Sequence, residues 1–462
     1  MTPERPPFVL SFFQDKVGHD LAAWRHPEAA TETVLTLEYQ ARLARTAERG
    51  KFDMVFLADA LTLLPENNSA FTTTFYFEPL VLLATLAAAT KRIGLAATVS
   101  TSYGEPYHVA RAFGTLDLLS GGRGAWNVVT SMRESEAWNF GREGSLDHAT
   151  RYERAQEFLD VVRLLWRSWE PDAIVADRAS GRFADPDKIH PIRHRGRHFA
   201  VEGPLNVPRS PQGEPVIVQA GASSIGKAFA ARNAEVIFAS TPDLRSARAF
   251  YADVKEAAVA EGRRPEAIKI LPGMIPIVGR TRAEAEEKHR FLKGLLLPEA
   301  AIRYLSQWLE TDLSGFDPDR PLPDIFDIER IRGQKGRFAN IIDISRREKL
   351  TLGALAARVA ATRTHCFMVG TAEEIADEME AWLDGGGCDG FNILTTHLPA
   401  GLDEFVDEVV PLLQERGRFR ADYEHETLRG HLGLPFDEAS LERRGVSEAP
   451  RYHARLTETA SA

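Results

Sequence analysis

The sequence predicts a (β/α)8 barrel, because eight short apolar runs alternate with segments of helical periodicity along a chain of 462 residues. Strands that are separated by helices lie parallel in one sheet, and eight parallel strands close most economically into a barrel. The alternative is an open, doubly wound sheet, whose first strand is typically followed by Gly-x-Gly-x-x-Gly. The first run and its loop, FVLSFFQDKVGHD, contain a single glycine, which favours the barrel.

The first half of the chain contains four strand and helix units in direct succession. Predicted strands 8–14, 52–58, 92–98 and 124–131 are followed by helical segments 31–49, 79–90, 106–122 and 152–169. Pro79 and Pro106 suit first helical positions, where a missing N–H costs nothing. The glycines of LDLLSGGRG close the third helix, so we interpret them as a turn at the bottom of the barrel.

The second half contains the remaining strands and two insertions. Strands are predicted at 215–220, 235–240, 268–279 and 391–394. A Thr-x-x-Glu capping box at Thr371 and Glu374 predicts the start of a helix before the last of them. The insertions follow strand 4 (about 171–215, with a hairpin around GRHFAVEGPLN) and strand 7 (about 281–363). We therefore expect one domain over 1–462, with a C-terminal tail, 421–462, that wraps the surface.

Composition excludes several function classes. Lys and Arg total 56 against 66 Asp and Glu, a net charge of −10 without any contiguous basic stripe, so we expect no nucleic-acid partner. No window approaches the roughly 20 apolar residues that cross a bilayer, and the start MTPERPPF lacks an export signal, so we expect a cytoplasmic protein without membrane contact. Cys366 and Cys388 are expected to be free thiols.

Motifs of hydrolases and metalloenzymes are missing. The sequence contains no HExxH, CxxC, GxSxG or Walker pattern. His190, His194 and His198 are spaced by four, but arginines stand between them and would repel a dication, so no metal is expected.

Candidate site residues follow from the barrel itself, whose working groups stand at the carboxyl ends of the strands. They are His19, Asp59, Thr98, Ser100, Asn127, Thr130, Ser131, His148, Tyr152, Ser223 and Ser224. GASSIG, directly before a helix, offers hydroxyls and the positive end of the helix dipole, which together suit a phosphate. His148 and Tyr152, four residues apart, project from one helix face if that helix begins near 148. Each of these residues also has a purely structural interpretation. Ser223 or Ser224 would be an N-cap, His148 a solvated histidine and Tyr152 a packed tyrosine. Asp59 would be a loop cap and His19 a loop histidine.

Five stretches resemble the bacterial luciferase-like flavin monooxygenases. They are GKFDMVFLAD, EPYHVARAFGTLDLLSGGRGAWNVVTS, HATRYERAQEFLDVVRLLW, QAGASSIGKAFAARNAEVIF and DGFNIL, in the family's order over nearly the whole chain. The resemblance is to the subgroup that contains nitrilotriacetate, dibenzothiophene-sulfone and long-chain-alkane monooxygenases.

The resemblance implies a two-component enzyme. A separate NAD(P)H:flavin reductase would supply reduced FMN, which reacts with O2 to a flavin C4a-peroxide that oxygenates a small organic substrate. Asp59 and Thr98 would flank the isoalloxazine ring, and Asn127 to Ser131, with Thr130, would lie along its edge and the ribityl chain. His148, Tyr152, Ser223 and Ser224 would hold the phosphate. A homodimer or higher homo-oligomer is expected from the relatives.

Departures from the family pattern bear on the substrate. The alkane-oxidising members carry a cysteine where this chain has Lys16 and a histidine where it has Met132, so an alkane is not expected. His19 matches and is the candidate catalytic residue. Lys16, Arg133 and Arg303 are candidate anion partners, which favours a polar or heteroatom-containing substrate. A deazaflavin-dependent hydride transferase and a flavin-binding protein without turnover are the alternatives; WNVVTS and HxxRYxxAxEF disfavour the first.

Overall fold

The computed structural model describes residues 7–63, 69–221, 223–328, 331 and 335–436. The strands are β1 Val9–Phe13, β2 Met54–Leu57, β3 Gly94–Ser100, β4 Gly124–Val129, β5 Ile174–Asp177, β6 Arg182–Ala184, β7 His194–Arg195, β8 Ala200–Val201, β9 Val216–Gln219, β10 Val236–Ala239, β11 Lys269–Val278, β12 Cys366–Gly370 and β13 Gly390–Ile393. Eight of them form a closed parallel barrel in the order β10-β9-β4-β3-β2-β1-β13-β11, and β11 pairs with β10 to complete the ring. The predicted barrel is confirmed.

Helices surround this ring and connect successive strands. They are α1 Leu37–Arg49, α2 Pro79–Ala89, α3 Pro106–Leu119, α4 Glu134–Trp138, α5 His148–Trp166, α6 Ser224–Asn233, α7 Leu244–Ala260, α8 Arg282–Leu295, α9 Pro298–Trp308, α10 Lys335–Glu348, α11 Leu352–Thr362, α12 Ala372–Asp384, α13 Ala400–Glu404, α14 Val410–Glu415 and α15 Leu428–His431. A π-helical turn, Phe405–Val409, joins α13 to α14. Among the described residues, every helix is too short or too polar to span a bilayer.

Side chains alternate along the strands between the barrel interior and the helical layer. On β1, Val9 and Phe13 pack inside with Phe56, whereas Leu10 and Phe12 join the larger core between the strands and the helices. This two-layered core is what holds the carboxyl ends of the strands in fixed positions.

Both insertions lie where the sequence predicts them. The first contains two antiparallel hairpins, β5 with β6 and β7 with β8, and the second of these matches the predicted hairpin. The second insertion contains α8 to α11, whose last three helices share a separate apolar cluster. Strand β12 was not predicted: it pairs in parallel with the outer half of β11, from Met274 to Val278, beyond the eight-stranded ring.

The amino ends of the strands are closed by residues near the C-terminus. Leu428 of α15 is buried among the interior side chains and contacts the backbone at Gly94. Its N–H donates to Gly122 O at 2.9 Å. Gly121 and Gly122 adopt φ of 74° and 89°, so they form the turn predicted at the bottom of the barrel. Residues 437–462 lie outside the described residues, so the tail over 421–462 and the domain extent stay predictions.

Candidate active site

One corner of the barrel mouth brings together groups from two separate strand and helix units. Helix α5 begins at His148, so His148 and Tyr152 do share a face, with ring centroids 5.1 Å apart. Ser223 caps α6, accepting from Gly226 N–H at 3.1 Å, and its Oγ lies 3.4 Å from His148 Nε2. Burial raises the pKa of Tyr152, and hydrogen bonds with Ser223 and Thr130 partly offset that rise. Three of the four predicted phosphate residues therefore converge.

The first turn of α6 is shaped to receive a group. A Cβ on Gly226 would lie 2.8 Å from Tyr152 Oη and 3.0 Å from Ser223 Oγ, so only glycine leaves this space open. The positive end of the helix dipole points at the same place. Ser224, the first residue of α6, is exposed beside it. Hydroxyls, an imidazole and a helix N-terminus form a donor set that fits a phosphate monoester.

A chain of hydrogen bonds crosses β2, β3 and β4 at mid-height. Asn127 Nδ2 donates to Thr98 Oγ1 at 2.8 Å, and Thr98 Oγ1 donates to Leu57 O at 2.7 Å. Asn127 Oδ1 is buried and has no hydrogen-bond partner among the described residues. A buried amide oxygen without a donor is costly, so this atom fits the N–H or O–H of a bound ring or polyol.

Ser131 sits where β4 ends and the chain turns away. Its φ of 39° is in the left-handed region, and its Oγ donates to Ser100 Oγ at 2.9 Å. Arg151, on the buried face of α5, donates to Ser131 O at 3.1 Å and so ties the turn to that helix. Thr130, half-buried next to it, contacts the hydroxyl of Tyr152.

Asp59 follows β2 and is half-buried at the mouth. Burial raises its pKa to about 6, Glu78 and Glu136 add to the rise, and the N–H of Ala60, donating at 2.8 Å, opposes it. The carboxyl group is therefore half-protonated at about pH 6 and mostly charged at neutral pH.

An aromatic surface lines the interior below these polar groups. Phe13, Phe56 and Phe238 contact one another with ring centroids 5.6 to 5.8 Å apart. Phe12 does not belong to this surface: it points outward from β1 into the core under the helices. Phe12 and Phe13 belong to different layers because neighbouring residues of a strand face opposite ways.

His19 is buried at the same mouth. Its ring lies 5.6 Å from that of Phe13 and 5.5 Å from that of His365, and both of its nitrogens are without hydrogen-bond partners among the described residues. Burial, with Arg363 nearby, lowers the pKa of His19 well below 6.5, so the ring is neutral. A neutral imidazole with free nitrogens can accept or donate a proton within reach of a ligand.

The three predicted anion-binding cations lie in different surroundings. Lys16 pairs with Asp15 at 2.9 Å and lies 3.6 Å over the ring of Tyr76, so its charge is already matched. Arg303 pairs with Glu299 on the exposed face of α9 and does not belong to the mouth. Arg133 has a buried Nη1 without a hydrogen-bond partner among the described residues.

The histidine triplet of the first insertion is divided among three acids. His190 contacts Glu170, His194 contacts Glu157 and His198 contacts Glu153, each within 3.0 to 3.5 Å. Separate carboxylates thus pair with the three imidazoles.

Comparison with known proteins decides the family. The model of the family described as luciferase-like monooxygenase matches residues 18–389. The chain belongs to the luciferase-like monooxygenase family. It is 47% identical to N-acetyl-S-(2-succino)cysteine monooxygenase of Bacillus subtilis (strain 168), over 94% of this chain and 98% of that protein. It is 44% identical to nitrilotriacetate monooxygenase component A of Aminobacter aminovorans, over 92% and 96%.

A solved structure shows the same architecture with a flavin. Riboflavin lyase with modified FMN and the substrate riboflavin superposes with a TM-score of 0.83 at 32% identity, over 93% of this chain and 96% of that one. Together with the monooxygenase relatives at 47% and 44% identity, this makes the luciferase-like protein a flavin-dependent monooxygenase, and the subgroup predicted from its motifs is confirmed.

Several residues of the candidate site were not predicted from sequence. Arg151 lies within HxxRYxxAxEF, so the motif contained a signal for it. Arg337 and Arg363 come from the second insertion, His365 directly follows it, and no local pattern marks them. His365 stacks on Phe238 with centroids 5.2 Å apart, and its buried Nδ1 has no hydrogen-bond partner among the described residues.

Proposed function

We propose that this protein oxygenates a small organic substrate with O2 and reduced FMN, which a separate NAD(P)H:flavin reductase supplies. The observation that carries the proposal is the convergence of Ser223, His148 and Tyr152 on the first turn of α6, where Gly226 leaves room for a phosphate. Bound reduced FMN supplies the two electrons with which O2 is activated.

The side chains at the mouth then have distinct roles in the proposal. Ser223, Tyr152 and His148, with Ser224 at the helix N-terminus, bind the phosphate. Thr98 and Asn127 hold the polar edge of the flavin, with Thr130 and Ser131 along the ribityl chain and Asp59 beside the ring. Phe13, Phe56 and Phe238 exclude water from the reacting face.

A double variant tests the phosphate assignment. Ser223→Ala with Tyr152→Phe removes two hydroxyl donors, so FMN affinity should fall by about 1 to 3 kcal/mol, as measured by fluorescence titration. Thr371→Ala is the matched control, because Thr371 caps α12 in the same way, accepting from Glu374 N–H, on a helix outside the mouth. Unchanged FMN affinity in the double variant would contradict the assignment.

The flavin C4a-peroxide that the family resemblance implies is part of the proposal. Mixing the protein and reduced FMN with oxygenated buffer in a stopped-flow spectrometer should show a long-lived absorbance intermediate before oxidised FMN appears. Direct reoxidation at the rate of free reduced FMN would contradict it. A homo-oligomer and a cytoplasmic location stay predictions, the first of which light scattering tests.

A further inference from the structure

Three arginines at the barrel mouth have more hydrogen-bonding capacity than the described residues use. Arg133 precedes α4, Arg337 lies on α10, and Arg363 follows α11 with φ of 48°. Nη1 of Arg133, Nε of Arg337 and Nε of Arg363 are buried without a hydrogen-bond partner among the described residues. A buried guanidinium N–H that is left unpaired is costly, so each points to an absent acceptor.

The three guanidinium groups act on the same small region. Burial, with smaller contributions from the positive charges of Arg363 and Arg133, lowers the pKa of Arg337 to about 10, and Tyr304 opposes that shift. Arg337 and Arg363 also depress the pKa of His365, whose ring is 5.5 Å from that of His19. Arg337 and Arg363 therefore lie close to both neutral imidazoles, and Arg133 lies close to Arg337.

The acids nearby are engaged elsewhere. Asp15 lies 2.9 Å from Lys16 and 3.5 Å from Arg363, so it serves two cations. Glu136 accepts three backbone N–H groups at 3.1 to 3.2 Å, those of Leu61, Met132 and Arg133.

Asp20 is the second acid whose charge acts on Arg363. It also accepts from Ala22 N–H at 2.7 Å, and burial raises its pKa to about 6. Within the described ranges, neither Arg133 nor Arg337 forms a salt bridge; the guanidinium of Arg337 stacks on Trp308 at 4.2 Å. At least two positive charges thus lack a matching carboxylate.

We propose that the substrate carries two or more carboxylates, which Arg133 and Arg337 bind, with Arg363 supporting them, beside His19 and His365. A planar guanidinium matches a carboxylate in shape and donates two parallel hydrogen bonds to it. Because the chain has a net charge of −10, this cationic mouth is a local feature and not part of a basic surface. The inference rests on the proposed function, whose substrate class it names.

Calorimetry on the flavin-free protein tests it, with tricarballylate as the probe. Tricarballylate should bind, its uncharged triamide should not, and Arg337→Gln should weaken tricarballylate binding about ten- to a hundredfold. Arg337→Lys should restore part of the affinity, because it keeps the charge without the planar fork. Arg303→Gln, on exposed α9 of the same insertion, is the matched control and should bind like the unaltered protein.

Several outcomes overturn the inference. They are equal binding of the triamide, equal binding of sulfate at the same concentration, no tricarballylate binding by the unaltered protein, or unchanged affinity in Arg337→Gln. Circular dichroism and FMN titration of each variant show whether it is folded. The calorimetry is done without flavin, so its result does not depend on FMN binding. If the FMN titration of the Ser223→Ala, Tyr152→Phe variant contradicts the phosphate assignment, the proposed function fails, and the carboxylate measurement still stands.

Discussion

Gly226 determines whether the proposed phosphate corner, formed by Ser223, His148 and Tyr152, is open. Its missing Cβ is what allows Tyr152 Oη and Ser223 Oγ to approach the first turn of α6. Gly226→Ala should therefore displace one of these hydroxyls and weaken FMN binding by about 1 to 2 kcal/mol in a fluorescence titration.

Gly294 provides the comparison for that substitution. It lies in helix α8, and a Cβ there would meet nothing within 4 Å. Gly294→Ala should raise the free energy of unfolding by up to about 1 kcal/mol and leave FMN affinity unchanged. If both variants bind FMN like the unaltered protein, the corner does not hold the phosphate.

Asp59 predicts a pH dependence of stability. Its pKa is about 6 in the folded protein against an ordinary 3.8, so the folded state binds more protons between these values and stability falls as pH rises through that window. Asp59→Asn removes this loss, so its Tm advantage over the unaltered protein should grow between pH 4 and pH 7.5 in the flavin-free state.

Asp177 is the control for the pH experiment. Its exposed carboxylate accepts from Ser180 and Ala179, and these hydrogen bonds lower its pKa, so stability from it is lost as pH falls. Below its ordinary pKa of 3.8, Asp177→Asn should therefore gain Tm relative to the unaltered protein as pH falls, and at higher pH the difference should stay constant. A Tm difference for Asp59→Asn that does not vary with pH would show that the carboxyl group ionises normally.

At the scale of elements, the barrel strands could be predicted because each is a short apolar run bounded by a helix signal. Strand β12 could not, since CFMVG pairs only with the outer half of β11 and lies outside the repeating units. Helix starts were less accurate than strands: α1 begins at Leu37 behind the Thr36 cap, not at 31, because residues 31–36 form turns.

A site residue could be predicted from sequence only where the element that carries it could be predicted. Ser223, His148 and Tyr152 lie at helix starts that directly follow barrel strands, so their meeting follows from the topology. Arg337 and Arg363 reach the mouth from an insertion of about eighty residues, whose path depends on how α9, α10 and α11 pack and not on any local pattern. Sequence therefore predicts the side of the site proposed for FMN better than the side proposed for the substrate.

The barrel floor gives a prediction of its own. Leu428 is fully buried against Gly94 and the interior side chains, so Leu428→Ala should lower the free energy of unfolding by about 2 to 5 kcal/mol. FMN affinity should not change, because the floor lies at the opposite end of the strands from the phosphate corner. Leu119→Ala, at a side chain 79% exposed, should change stability by less than about 0.5 kcal/mol. Equal chemical denaturation curves for the two variants would contradict a stabilising role of Leu428 at the amino ends of the strands.

The described residues form one barrel, and its first strand lacks the glycine pattern with which dinucleotide-binding folds hold NAD(P)H. We therefore expect that NADH alone does not reduce FMN on this protein. Turnover of a carboxylate substrate should instead begin when a flavin reductase is added, and its rate should follow the concentration of free reduced FMN.

Two unrelated reductases separate this expectation from direct transfer. When they are adjusted to the same reduced FMN concentration, both should support the same rate of substrate oxygenation, and added catalase should not lower it, because the oxygen is transferred within the site. Activity with one reductase only, at equal reduced FMN, would mean that the two proteins must dock for transfer. Loss of activity with catalase would mean that free hydrogen peroxide is the oxidant and that the barrel mouth does not control the reaction.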